Sequence, residues 1–331
     1  MSSAQRAERM SAERTVCELG EIENDFAIAV LAGLSKAKKS LPCRFFYDAR
    51  GSELFEEITR LPEYYPTRTE AAILADHADE VAGSIGDGGV LVEFGSGSSV
   101  KTEILLDRVA HHVTYIAIDV SETALAEAKA RLSERYPGLD VRTLVGDFSG
   151  YIEIPEDLTS RPMTGFFPGS TIGNLVPRDA KRLLAAFGRV LGSQSELIIG
   201  IDLKKDPRDL VNAYNDSAGV TAAFNLNLLT RINRELGGTI DEDGFLHEAI
   251  YDPREGRIEM HLVSTKDQTV EICGRPFHFR SGETIHTENS YKYSLEEFRN
   301  LAMGAGWKSE DVWTDADRKF SVYRLKWLKG S

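Results

Sequence analysis

Residues 91–106 read LVEFGSGSSVKTEILL. An apolar run ends in a glycine turn, and the turn leads into a segment with apolar residues at helical spacing. Strand–turn–helix units of this kind open the nucleotide-binding half of doubly wound α/β folds. Gly95 and Gly97 supply the first two glycines of a dinucleotide fingerprint, but Val100 stands where the third belongs. The third glycine allows a helix to pack close behind a pyrophosphate, so the substitution points to a ligand without one.

Outward from this stretch the chain alternates. A helix is expected over Lys101 to His111, then the strand VTYIAIDV, then a helix that Ser121 can cap. DVRTLVGDF and MTGFFPGS read as the third and fourth strands, Pro177 opens the next helix, and ELIIGIDL is the fifth strand. Strands separated by helices imply a mostly parallel sheet covered on both faces. The pattern then changes. Residues 206–236 read as helical, and 245–272 as antiparallel strands with Asp/Pro/Gly turns. After HTENSYKYS, a helix and two strands resume the first pattern. The expected organisation is a flexible tail over 1–15, a substrate-binding α+β lobe from 16–68 and 203–291, and a ligand-binding α/β domain from 69–202 and 292–331.

Composition narrows the classes. A net charge of −13 without a basic block argues against nucleic acid. No apolar run approaches the roughly 20 residues of a membrane span, and the polar N-terminus has no signal-peptide segment. Cys17, Cys43 and Cys273 are odd in number and far apart, which fits reduced, buried thiols in a cytoplasm. The histidines, among them His247, His261, His278 and His286, show no metal-ligand spacing, so no metal is expected.

Asp119 ends the second strand, where a carboxylate can accept from two ribose hydroxyls. Asp147 and Phe148 follow the third strand, placed to accept from an adenine amino group and to pack on the ring. Alone, a GxG turn is only a tight connection and an Asp only a helix cap. Three such features at the carboxyl ends of successive strands share one ligand region. S-adenosylmethionine fits this set: it has no phosphate and needs only close backbone approach at Gly95, Ser96 and Gly97. The expected fold is therefore Rossmann-like, of the class I methyltransferase type, with a second α+β lobe.

Three longer stretches carry a resemblance: FPGSTIGNL, FYDARGSELFEEITRLPEYYPTRTEAAIL and YNDSAGVTAAFNLNLLTRINREL. Together they resemble the histidine-specific N-alpha-methyltransferases, which make trimethylhistidine (hercynine) for ergothioneine biosynthesis, and the similarity runs from about residue 38 onward. The resemblance implies cofactor contacts at Gly95, Lys101, Asp119, Asp147 and Phe148. It implies substrate contacts at Tyr47, Tyr64, Gly169, Asn174, Tyr214, Met260, Glu288 and Ser290, with Tyr47 and Asn174 nearest the chemistry. Cys43 replaces a commoner proline, and Asn215 follows Tyr214 where an acid is expected.

The chemistry suits these residue types. Methyl transfer from a sulfonium to a neutral amine needs chiefly proximity and alignment, worth about 7–11 kcal/mol. Oxygen acceptors such as Tyr47, Tyr64 and Asn174 can stabilise the developing ammonium, and Asn174 and Tyr214 can donate to a carboxylate. Glu288 and Ser290, two apart on a strand, point the same way and can bond both nitrogens of an imidazole. Lys101 either meets the cofactor carboxylate or is a solvated residue opposing the helix dipole. The small-molecule substrate implied is L-histidine, methylated by a monomer. The alternatives are another aromatic amino acid such as tryptophan or its prenylated form, a non-catalytic S-adenosylmethionine sensor or scaffold, and an NAD-dependent oxidoreductase.

Overall fold

A computed structural model describes residues 25–97, 100–109, 113–148, 150 and 152–328. The expected tail over 1–15, Cys17 and the end of the helix expected to reach His111 lie outside the described residues. Contacts divide the chain into two compact units, one from the residues up to Tyr65 with Asp206–Ser290, the other from Pro66–Lys205 with Tyr291–Ser331. The chain thus changes unit after residues 65, 205 and 290, where the sequence pattern suggests 68, 202 and 291.

The first unit begins with α1 (Asp25–Leu34), a two-residue strand β1 (Lys39–Ser40) and α2 (Ala49–Thr59). Asp48 caps α2 by accepting from the Gly51 amide at 2.7 Å. The other unit starts within α3 (Tyr65–Asp76) and continues through α4 (Ala78–Gly83) to β2 (Val90–Phe94), every residue of which is buried. Then follow α5 (Val100–Val109), β3 (Thr114–Asp119), α6 (Glu122–Arg135), β4 (Asp140–Val145) and β5 (Met163–Phe167). Ser121 caps α6 through the Ala124 amide. The amphipathic α7 (Pro177–Leu191) buries Ala180, Leu183, Leu184, Phe187 and Leu191, stops at Gly192 and leads to β6 (Glu196–Asp202).

Residues 206–236 are helical as expected and form two helices, α8 (Pro207–Tyr214) and α9 (Val220–Leu236). Asp216 causes the break: its carboxylate accepts from the Val220 and Thr221 amides at 2.9 and 2.7 Å and so starts α9. Strands β7 (Phe245–Asp252) and β8 (Arg257–Ser264) pair antiparallel. The hairpin of β9 (Gln268–Ile272) and β10 (Arg275–Phe279) turns on Cys273 and Gly274, both at positive φ, as a two-residue hairpin loop requires. Cys273 is therefore a half-buried turn residue and not a core thiol. Strand β11 (Thr284–Tyr291) completes a sheet of order β1-β11-β8-β7. Phe46, Phe224, Leu228, Leu229, Ile258 and Leu262 belong to the core of this unit.

After β11 the chain forms α10 (Leu295–Ala305), opened by a Ser294/Glu297 capping box and closed by Gly306 in the left-handed region, then β12 (Trp307–Thr314) and β13 (Phe320–Trp327). The seven-stranded sheet runs β12-β13-β6-β5-β2-β3-β4. It is parallel from β6 to β4, while β13 runs antiparallel to both neighbours. The chain leaves β2 toward β3 and later returns to β5 on the other side of β2. That reversal makes the carboxyl ends of β2 and β5 the crevice where such sheets bind ligands. Among the described residues no helix is long and apolar enough to cross a membrane.

Candidate active site

The glycine turn leaves β2 with the Gly95 and Ser96 amides both donating to the Ile118 carbonyl, at 2.8 and 3.0 Å. Gly95 has φ +72°, and a Cβ there would come within 3.0 Å of the Phe148 ring. The glycine thus serves both backbone conformation and close approach. Asp119 spans the turn, accepting from Gly97 N and Ser121 N, each at 2.9 Å. Each carboxylate oxygen keeps a further acceptor site for a ligand hydroxyl. Ser96 Oγ is buried and has no hydrogen-bond partner among the described residues. A turn of bare backbone, an orphan hydroxyl, a carboxylate and an aromatic ring fit the adenosyl and amino-acid portions of S-adenosylmethionine. Asp147 and Phe148 follow β4, and Phe148 packs edge-on to Phe167 at 5.3 Å. Behind the turn, buried Glu93 accepts from Thr102 and Tyr115, joining β2, α5 and β3.

The turn after β5 is built differently. Gly169 and Ser170 are consecutive left-handed residues, at φ +83° and +57°. A serine is uncommon there. Its hydroxyl accepts from the Asp202 amide at 2.9 Å, which holds the strained conformation. Gly173 lies against the Tyr291 backbone, 2.8 Å from where a Cβ would stand, and half-buried Asn174 ends this turn. The Gly169 amide donates to both carboxylate oxygens of Glu70, at 3.0 and 2.8 Å, and Lys101 forms an ion pair with the same group. Lys101 is accordingly not a solvated first-turn residue. Glu70 is a site neighbour that sequence spacing missed: it lies 31 residues before Lys101 and 99 before Gly169.

In the other unit an aromatic train connects the remaining candidates. The Tyr47 ring meets Phe55 at 5.5 Å, Phe55 meets Tyr64 at 6.3 Å, and Tyr64 meets Tyr214 at 6.2 Å. The Tyr214 hydroxyl lies 2.7 Å from Ser290 Oγ. Asp48 holds the backbone beside Tyr47, bonding Asn227 and Arg234 of α9 besides its own cap. Tyr214 sits where α8 ends, its carbonyl accepting from His247 Nε2 at 2.8 Å. Glu288 is buried, at 9% exposure, as is Ser290 two residues on. Desolvation pushes the Tyr47 phenol well above its ordinary pKa, and the nearby Glu288 charge adds to the rise. Tyr47 nonetheless exposes 40% of its surface. Cys43 is pushed up to about 12 by burial and by the same Glu288 charge. Tyr47, Tyr64, Tyr214, Glu288 and Ser290 are thus brought together, and Met260, 1% exposed, belongs to the same apolar cluster as Tyr214.

The histidines are less scattered than their spacing suggests. Glu259, His261 and His286 place potential ligand atoms within 4.8 Å of one another, across β8 and β11. Arg257 already holds the Glu259 carboxylate, and His261 donates to it at 2.9 Å, so a metal would have to displace a guanidinium. His278 bonds Thr269 at the exposed hairpin.

The family described as "Histidine-specific methyltransferase, SAM-dependent" matches residues 26–327. The histidine N-alpha-methyltransferase of Mycolicibacterium smegmatis is 42% identical over 299 residues, covering 88% of this chain and 92% of that one. Ergothioneine biosynthesis protein 1 of Neurospora crassa is 34% identical over 287 residues, 83% of this chain but only 32% of that longer one. A 4-dimethylallyltryptophan N-methyltransferase of Aspergillus fumigatus is 28% identical over 324 residues, covering 92% and 94% of the two chains.

Proposed function

The chain belongs to the histidine-specific, S-adenosylmethionine-dependent methyltransferases, and we propose from that premise that it trimethylates the α-amine of L-histidine to give hercynine, in ergothioneine synthesis. S-adenosylmethionine supplies an activated methyl group. The residues assigned to hold it are Gly95, Ser96, Gly97, Lys101, Asp119, Asp147 and Phe148. The protein's own part is to bind and orient. Tyr47, Tyr64 and Asn174 offer oxygen acceptors to the amine, and Asn174 and Tyr214 offer donors to the carboxylate. The Gly169 turn carries Asn174, and Met260 contributes apolar surface. No metal takes part in this reading, and the chain acts as a cytoplasmic monomer.

The observation that carries the substrate is buried Glu288 with Ser290, linked to Tyr214 within an aromatic cluster. A carboxylate and a hydroxyl two residues apart match the two nitrogens of an imidazole. An indole would leave the buried carboxylate poorly matched, which disfavours a tryptophan-type substrate. Incubation with S-adenosylmethionine and each common amino acid tests the reading by mass spectrometry. Histidine alone should gain one, two and three methyl groups. Preferential methylation of tryptophan, or turnover of none of them, would refute it.

A further inference from the structure

Within the α/β unit the Glu70 side chain enters from α3 and ends buried, at 1% exposure. Three other elements are shaped around its carboxylate. The Gly169 amide from the turn after β5 donates to both oxygens, and Lys101 from α5 is its counter-ion. On β6, a Cβ at Gly200 would lie 1.8 Å from Glu70 Oε1, so that strand carries a glycine where the carboxylate enters. A Cβ at Gly169 would lie 3.7 Å from Lys101 Nζ, which places the ammonium beside the turn. An ionised group this deep must be paired and hydrogen-bonded to remain there. A lysine in the first turn of a helix opposes the helix dipole, so without Glu70 its flexible stem would favour solvent.

We propose that Glu70 is a positioning residue for methyl-donor recognition. It holds the Lys101 ammonium at the carboxyl ends of β2 and β5, where it meets the carboxylate of the donor's amino-acid end. The same carboxylate pins the Gly169 amide, so one group sets both the donor contact and the turn that carries Asn174. The inference rests on the assignment of Lys101 and Gly169 made above. A buried ion pair serving stability alone would leave donor recognition untouched, and that difference is measurable without turnover.

The test is calorimetric binding of S-adenosylhomocysteine and of its analogue with hydrogen in place of the carboxylate. The parent should prefer the carboxylate-bearing compound by about 10- to 100-fold, the scale of a charge-assisted hydrogen bond. In Glu70→Gln, which keeps an acceptor for Gly169, the preference should fall below about threefold. Lys101→Met should do the same, and the double variant should lose nothing more, since both substitutions remove one interaction. Should Glu70→Gln fail to fold, Glu70→Asp, one methylene shorter, is expected to show a reduced preference. A folded Glu70 variant with the parent's preference overturns the proposal, as does a parent that binds both compounds equally. Absence of histidine turnover would instead refute the substrate reading, because these measurements contain no histidine.

Discussion

The two units carry their candidate residues in opposite ways. In the α/β unit the residues assigned to the methyl donor fall between 95 and 148, each at the end of a strand, just after one or in the first turn of the next helix. What they offer is a glycine turn and side chains carried directly on it, such as the Asp119 carboxylate bonded to Gly97 N. In the other unit Tyr47, Tyr64, Tyr214, Glu288 and Ser290 come from separate stretches and act through side chains. A site carried on successive strand ends is specified by strand–turn geometry, which short local segments encode. A side-chain site depends on which distant segments pack together. The donor site should therefore tolerate changes in the second unit, and substrate selectivity should be lost by changes there alone.

Glu288→Ala is the strongest way to break this division. It should lower kcat/KM for histidine by roughly 10- to 1000-fold, at about 1.4 kcal/mol per tenfold, and relax the penalty against apolar aromatic amino acids. Ser290→Ala should act in the same direction, more weakly. S-adenosylhomocysteine affinity, followed by calorimetry, should barely move in either. Parent-rate turnover with selectivity intact would remove Glu288 from imidazole recognition.

Asp119→Ala probes the other side. Loss of the ribose hydrogen bonds should weaken S-adenosylhomocysteine by about 1.5–3 kcal/mol in a folded protein, with amino-acid selectivity unchanged. The variant also removes an acceptor from Gly97 N, so Asp119→Asn serves as the control that retains one. Unchanged affinity in the folded Ala variant would mean that another group binds the ribose.

The smallest expected effect concerns acid. Burial holds His247 below its ordinary value of 6.5, and its partners suit the neutral ring: Nε2–H donates to the Tyr214 carbonyl and Nδ1 accepts from Asn225. A histidine with a depressed folded pKa binds its proton more readily in the unfolded chain. Its stabilising contribution is present above about pH 6.5 and is lost as the pH falls toward the lower folded value. Thermal unfolding between pH 7 and 5 should thus show a falling midpoint, and His247→Gln should flatten that slope while lowering stability at pH 7. An identical slope in the variant would place the acid sensitivity on other groups, such as His286, which burial also holds low.

Much of the α/β unit is legible in the sequence because its determinants are local. The apolar run before Gly95, the Ser121 cap, Pro177 at a helix start and the glycine after Leu191 each act within a few residues. Even so, a helical reading of 206–236 does not locate the break at Asp216, because capping by that residue competes with helix propensity over only five residues. The resemblance supplied the candidate list in the other unit, where spacing alone could not.

By itself, then, the sequence determined a mostly parallel sheet with a phosphate-free glycine turn, because strand ends and turns are written in consecutive residues. Only the tertiary structure decided that Glu70 meets Lys101, Gly169 and Gly200, that the Glu288 charge lies close enough to raise Tyr47, and that His261 and His286 stand 5.0 Å apart. Those meetings arise from packing between segments tens to hundreds of residues apart. A periodic pattern reports which face of an element is buried, but not which side chain from elsewhere in the chain it will touch.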